Sequence, residues 1–185
     1  DSGVGKTTLL NLLMGLLSPL SGQLYADRNS FSAYQNKFWQ EKICHIPQNS
    51  LLADASILEN ITYGSDNKNI DMEKVKEVCK KAELENLIKK SENGLNTIIG
   101  EKGLKISGGE RQRLSIAKAI YSDKEIFLLD EATNAIDEDT ETKIFKNFKE
   151  IFRNKIVIII SHNKRNYDFC DKIYEIKNKK IEIIK

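Results

Sequence analysis

The spacing of hydrophobic residues divides the chain into helical and strand-like segments. Near the start, leucines cover most of the circumference of a helix over about residues 6–17, which predicts a buried helix. These leucines are Leu9, Leu10, Leu12, Leu13, Leu16 and Leu17. A polar stretch over residues 27–40 then leads into a short apolar strand at 43–46. From residue 56 to about 121 the pattern is mainly helical and much more charged.

The hydrophobic period changes after residue 121. Two short apolar runs, 126–129 and 156–160, predict strands that are buried on both faces of a parallel sheet. The segment between them has its hydrophobic residues on one helical face and an acidic first turn. Residues 172–176 and 180–184 are typical of a terminal β-hairpin. The pattern therefore predicts an α/β fold in which a helical segment interrupts a core of parallel strands.

Composition places the chain among ordinary globular domains. Its 185 residues fit one domain by the prior of roughly 150 residues each. A net charge of +2 with 40% hydrophobic residues excludes a disordered polyelectrolyte and gives little support to a nucleic-acid partner. The longest unbroken aliphatic run is far shorter than the roughly 20 residues of a membrane-spanning helix. Three widely spaced cysteines without metal-ligand spacing favour a reducing compartment.

A candidate phosphate-binding loop opens the chain. The glycines of Asp1–Thr8, DSGVGKTT, allow backbone N–H groups to approach an anion at a helix N-terminus. Lys6 would reach the terminal phosphates, and the Thr7 hydroxyl would help to hold Mg²⁺. The alternative is a glycine-rich turn that merely starts a helix. The first glycine of the G-x-x-x-x-G-K-[ST] pattern would precede Asp1, so we expect this sequence to be a piece cut within the loop.

Three further positions carry candidate chemistry. The apolar run at 126–129 ends in Asp130, suited to the coordination of Mg²⁺, and Glu131, suited to activate an attacking water. The alternative is a surface acid pair that caps the next helix. The sequence Ser107-Gly108-Gly109-Glu110 predicts a second anion site at a helix start. His162 follows the strand at 156–160 and could reach a terminal phosphate, although a lone histidine there is more often a solvated loop residue.

Six motifs together resemble the nucleotide-binding domain of ATP-binding cassette (ABC) proteins. They are the phosphate loop Gly3–Thr7, Gln48, the signature Ile106–Glu110, the acidic Leu129–Glu131, the D-loop Ala135–Asp137 and His162. The resemblance implies a P-loop NTPase, an ABC ATPase core with an inserted α-helical subdomain, that binds ATP and Mg²⁺. It implies one domain over residues 1–185, with the helical subdomain at about 56–121 and a RecA-like core over 1–55 and 122–185. Residues 51–61 and 100–103 resemble segments that contact the membrane domain in ABC exporters.

The resemblance also implies a role for each motif. The residues of one copy that hold ATP are Ser2, Gly3, Val4, Gly5, Lys6, Thr7 and Thr8. Those of a second copy that close over it are Ser107, Gly108, Gly109 and Glu110. Thr7, Gln48 and Asp130 would bind Mg²⁺. Glu131, Gln48 and His162 would be catalytic, with Asp137 contacting the site across the dimer.

The expected partners are a second nucleotide-binding domain and a transmembrane domain, at the cytoplasmic face of the cell membrane. ATP hydrolysis would then be coupled to export. One alternative is a soluble ABC ATPase without a membrane domain. Another is a nucleotide-binding regulatory module that closes on ATP without turnover.

Overall fold

A computed structural model describes residues 4–26, 29–32, 35–64, 69–100, 104–177 and 180–185. The α-helices in these ranges are α1 (Lys6–Leu13), α2 (Lys37–Glu41), α3 (Ile57–Ile61), α4 (Met72–Lys81), α5 (Glu85–Lys90), α6 (Gly108–Ser122) and α7 (Glu138–Ile151). The strands are β1 (Leu24–Ala26), β2 (Asn29–Phe31), β3 (Ile43–Ile46), β4 (Ala55–Ser56), β5 (Ile98–Ile99), β6 (Ile126–Asp130), β7 (Ile156–Ile160), β8 (Tyr174–Lys177) and β9 (Lys180–Ile183). No helix within the described ranges has the length and apolar character that crossing a membrane requires.

Contacts divide the chain into two compact units. The first comprises residues 1–43 and 163–185, and the second runs from Cys44 to His162. The first unit contains α1, α2 and two antiparallel pairs, β1 with β2 and β8 with β9. The second pair confirms the predicted terminal hairpin. The helix α2 and the β1–β2 pair were not expected, since that stretch of the sequence is mostly polar.

The first helix is shorter and less buried than its leucines predicted. It ends at Leu13 because Gly15 takes a left-handed conformation, with φ +70°. There the N–H groups of Leu16 and Gly15 bond back to the carbonyls of Asn11 and Leu12, at 2.9 and 3.0 Å. The prediction of a buried helix to residue 17 was therefore wrong, since Leu16 is 55% and Leu17 42% exposed.

The second unit is built on a three-stranded sheet in the order β3-β6-β7. Strands β6 and β7 are parallel, as predicted, and Asp130 lies opposite Ile160 at their carboxyl ends. The first four residues of β6 are buried, and the ring of Phe127 packs against Phe152, the C-cap of α7, which in turn packs against Phe148. The expectation that both strands are fully buried was wrong for β7, where Ile156 is 59% exposed.

The segment between β4 and β6 is mainly helical, as predicted. Helix α3 begins with a capping box in which Ser56 and Glu59 bond each other's backbone N–H groups. Helix α4 begins at the cap Asp71 and buries Val75, Val78 and Cys79. Helix α6, the longest of these, packs against α3 and α4. These contacts fix the direction of α6 and therefore the position of its N-terminal Ser107.

Candidate functional site

The central carboxylate of the site stands just beyond β6. Asp130 ends the strand, and Glu131 follows it in the left-handed region at φ +50°, which residues with side chains rarely adopt. The Glu131 N–H donates to the carbonyl of Ile160 at 3.0 Å, so β7 fixes this backbone. The Glu131 side chain is 15% exposed. A strained residue at a strand end is typical of functional sites.

Three side chains converge on the Glu131 carboxylate. Gln48 Nε2 donates to Oε2 at 2.8 Å, and Asn134 Nδ2 donates to the same oxygen at 2.7 Å. His162 Nε2 lies 3.1 Å from Oε1. These side chains come from the segments that follow β3, β6 and β7, respectively. The structure thus brings together Gln48, Glu131 and His162, although Gln48 and His162 are 114 residues apart in the sequence.

The predicted signature turn forms the start of α6. Ser107 is the N-cap: its hydroxyl accepts from the Glu110 N–H at 3.2 Å, and the Glu110 carboxylate accepts from the Ser107 N–H at 2.8 Å. Burial disfavours ionised Glu110, but the hydrogen bonds from Ser107 outweigh it and lower the pKa of this carboxyl. Glu110 therefore has a structural role as a capping residue. The N–H groups of Gly108 and Gly109 stand at the helix N-terminus, which suits an anion.

Helix α6 also anchors the loop that follows Glu131. Buried Gln112 accepts the Ala135 N–H at 2.8 Å through Oε1. A Cβ on Gly109 would lie 2.8 Å from the Ala135 carbonyl oxygen, so the close approach requires glycine there. The loop ends at Asp137, the N-cap of α7, which accepts the Thr140 N–H. The hydrogen bonds from Thr140 lower the pKa of Asp137.

The two signature glycines should respond differently to alanine. Gly109→Ala should lower the unfolding midpoint by about 2–12 °C, because overpacking against backbone costs about 1–3 kcal/mol. Gly108→Ala should leave it unchanged or raise it slightly, since the nearest atom, Ala135 Cβ, is at an ordinary 3.4 Å. Thermal unfolding of the two variants beside the wild type provides the measurement. Equal midpoints for both variants would contradict the steric role of Gly109.

The described part of the phosphate loop lies in the first unit. Gly5 caps α1 at φ +103°, a conformation that favours glycine, and its carbonyl accepts the Leu9 N–H at 2.9 Å. Lys6, Thr7 and Thr8 form the first turn of that helix. Val4 precedes it, whereas Ser2 and Gly3 lie outside the described residues, as do residues 101–103 of the exporter-like segment.

Asn134 and Gln112 were missed by sequence reasoning. Asn134 lies three residues after Glu131, a spacing at which a turn can bring two side chains together. That spacing is the signal that could have identified it. Nothing in the sequence around Gln112 distinguishes it from other polar residues of a helix, and only the fold shows that it contacts Ala135.

Three features are typical of a nucleotide-binding α/β domain: a glycine-capped helix start, an acidic pair at the carboxyl end of a buried parallel strand, and a serine-capped glycine turn. The chain belongs to the ABC transporter family, whose family model matches residues 1–134. It is 36% identical over 180 residues to "ABC transporter ATM1" of Toxoplasma gondii, covering 97% of this chain and 16% of that protein. It is also 36% identical to "Alpha-hemolysin translocation ATP-binding protein HlyB" of Escherichia coli O157:H7, covering 96% of this chain and 25% of that protein.

A solved structure shares the fold. The structure of a bacterial Atm1-family ABC exporter with ATP bound matches with a TM-score of 0.87 and 30% identity. The match covers 97% of this chain and 31% of that one. The chain therefore spans less than a third of the length of these relatives. It is a nucleotide-binding domain of the ABC transporter family, a P-loop NTPase.

Proposed function

We propose that this domain hydrolyses Mg-ATP with Glu131 as the general base, and that hydrolysis powers export through an attached transmembrane domain. The observation that carries the proposal is the Glu131 carboxylate at the end of β6, held by Gln48 and contacted by His162. A nucleotide-binding module without turnover has no need of such a carboxylate. The similarity of the chain to ABC exporters in sequence and structure supports the coupling to transport.

The ATP phosphates bind at the start of α1. Within the described residues, Gly5 and the first turn of α1 supply backbone N–H groups, and the Lys6 ammonium neutralises the terminal phosphates. The residues assigned to Mg²⁺ carry oxygen donors of the kind that this ion prefers: the Thr7 hydroxyl, the Asp130 carboxylate and the Gln48 amide. When bound, this ion would neutralise charge on the phosphates.

Glu131 accepts a proton from the water that attacks the γ-phosphorus. The new bond joins the water oxygen to phosphorus, the bond between phosphorus and the bridging oxygen breaks, and ADP leaves with that electron pair. Gln48 and His162 hold the carboxylate beforehand, at 2.8 and 3.1 Å. In the loaded site, His162 contacts the γ-phosphate. General-base assistance of this kind contributes about 10²- to 10⁴-fold to the rate.

A second copy completes each site. The start of α6, with Ser107, Gly108 and Gly109, closes over ATP bound to the other copy, while Asp137 contacts the site across the dimer. Residues 56–121 form the helical subdomain, inserted in a RecA-like core of residues 1–55 and 122–185. The transmembrane domain places this assembly at the cytoplasmic face of the membrane. Closure on ATP and reopening after hydrolysis then change the conformation of the attached helices.

Lys6→Ala should weaken ATP binding by about 10- to 100-fold, because charge-assisted hydrogen bonds contribute about 1.5–3 kcal/mol. The matched control is Lys37→Ala, at the first residue of α2 in the same unit, which should leave the affinity unchanged. Titration of the full-length protein with a fluorescent ATP analogue and Mg²⁺ measures both. Equal affinities for wild type and Lys6→Ala would contradict the assignment of the phosphate loop.

Membrane coupling needs a separate test. Cells that express the full-length protein are lysed and fractionated, and the membranes are washed with high salt. We expect the protein to remain in the membrane fraction until detergent is added, because the transmembrane domain anchors it. Recovery in the soluble fraction would instead favour a soluble ABC ATPase.

A further inference from the structure

We propose that Asn134 is a positioning residue for Glu131 that keeps the carboxylate oriented after Gln48 and His162 have turned to the nucleotide. The proposal rests on the proposed role of Glu131 as the base. Asn134 Nδ2 donates to Glu131 Oε2 at 2.7 Å, the shortest of the hydrogen bonds described at this carboxylate. It leaves the Oε1 side of the carboxylate, where His162 lies, to face the attacking water.

The contacts described on the Glu131 carboxylate, from Gln48, His162 and Asn134, differ in how each partner is held. Gln48 and His162 belong to segments distant in sequence, and both have a second task in the loaded site, at Mg²⁺ and the γ-phosphate. Asn134 lies in the same turn as Glu131, and its N–H also bonds to the Glu131 carbonyl at 3.3 Å. Its contact depends on neither the nucleotide nor a second copy. It is therefore the contact that can persist through the catalytic step.

The backbone of Glu131 shows why such a contact is needed. The left-handed conformation at φ +50° costs about 1–3 kcal/mol and persists only where the surroundings hold it. On one side, the Glu131 N–H is held by Ile160 at 3.0 Å. On the other, Asn134 bonds both the carbonyl and the carboxylate of the same residue. Asn134 thus fixes the backbone and the side chain of Glu131 together.

The residue that follows Asn134 in the chain is also held in place. The next residue, Ala135, donates its N–H to the buried Gln112 side chain at 2.8 Å and packs its carbonyl against Gly109. Because Ala135 cannot shift without breaking these contacts, Asn134 is held between a fixed point on α6 and the carboxylate. The Asn134 amide can therefore hold the Glu131 carboxylate in place, because Asn134 itself is not free to move with that carboxylate.

The test compares kcat and KM for ATP in the full-length protein. Asn134→Asp preserves the shape but replaces the donor with a negative oxygen, and Asn134→Ala removes the group. Both should lower kcat by about 10- to 100-fold while KM stays within about twofold, because small misplacements of a catalytic group have effects of this size. The matched control is Asn147→Ala in α7. The Asn147 Nδ2 donates to the Lys81 carbonyl at 3.0 Å, and neither residue contacts Glu131 in the described structure. Asn147→Ala should retain the wild-type kcat.

A double-mutant cycle separates positioning from a general structural effect. In a Glu131→Gln background, Asn134→Ala should cause no further loss in single-turnover rate, since the group that it positions is gone. Wild-type kcat for Asn134→Asp, or an undiminished loss in the Glu131→Gln background, would overturn the role of Asn134 alone. Normal turnover of Glu131→Gln would overturn the base itself and this proposal with it.

Discussion

Glu131→Gln is expected to lower ATP turnover by the full-length protein by about 10²- to 10⁴-fold, the contribution of a general base. The amide has nearly the shape of the carboxylate and can still accept hydrogen bonds from Gln48 and Asn134. It cannot take the proton of the attacking water. ATP affinity should therefore be preserved while the chemical step is lost. Phosphate release and nucleotide titration on the same preparation measure the two quantities separately.

The matched control is Glu141→Gln in the same unit. Glu141 is buried and accepts the Thr133 hydroxyl at 2.6 Å, a bond that an amide oxygen can also accept. Its substitution tests the loss of a buried carboxylate charge away from the reacting atoms. It should leave turnover within about twofold of the wild type. Turnover in Glu131→Gln that matches this control would contradict the assignment of the base.

Phe127→Ala should lower the stability of the second unit by about 3–5 kcal/mol, because it removes a buried ring and leaves a cavity. Phe127 is 1% exposed in β6, and its ring centroid lies 4.5 Å from that of Phe152. For a domain of this size the loss corresponds to a fall of about 6–20 °C in the unfolding midpoint. Since β6 carries Asp130 and Glu131, ATP turnover should disappear at the same lowered temperature.

The exposed Phe38 provides the matched substitution. It is 71% exposed in α2, where only the Lys42 ammonium is described over its ring, at 4.8 Å. Phe38→Ala should lower the midpoint by no more than about 4 °C, because a single exposed cation–π contact is worth about 0.5–1 kcal/mol. Thermal unfolding of Phe127→Ala and Phe38→Ala beside the wild type measures the two shifts in the unfolding midpoint. Equal effects would contradict a larger contribution to stability from Phe127, in the β6–α7 core of the second unit, than from exposed Phe38 in the first.

The strands and the helix over residues 126–160 of the second unit could be predicted because burial imposes a clear hydrophobic pattern on them. The runs at 126–129 and 156–160 and the phenylalanine face of α7 leave few alternatives to a strand-helix-strand unit. The end of α1 could not be read in the same way. Six leucines over residues 6–17 favour a longer helix, but α1 ends at Leu13 because Gly15 takes a left-handed conformation.

Part of the site could also be predicted, because two of its residues follow apolar strands. Glu131 and His162 follow apolar strands, so the parallel pairing of β6 and β7 brings them to one edge. Gln48 was placed there only through the resemblance to ABC proteins, and the structure now shows its bond to Glu131. The contact of Gln112 depends on a helix packing that no local pattern indicates, whereas the three-residue spacing of Asn134 from Glu131 is visible in the sequence. The capping role of Glu110 was equally hidden behind the motif that contains it.

Hydrolysis with Glu131 as the base is tested most directly by identifying the nucleotide that one turnover leaves on the protein. Full-length wild type and Glu131→Gln, each in excess over Mg-ATP, are incubated for a few wild-type turnover times and denatured, and the nucleotide is separated by chromatography. We expect ADP from the wild type and almost entirely ATP from Glu131→Gln. Unchanged ATP from the wild type would contradict hydrolysis by this domain, and ADP from both would contradict Glu131 as its base.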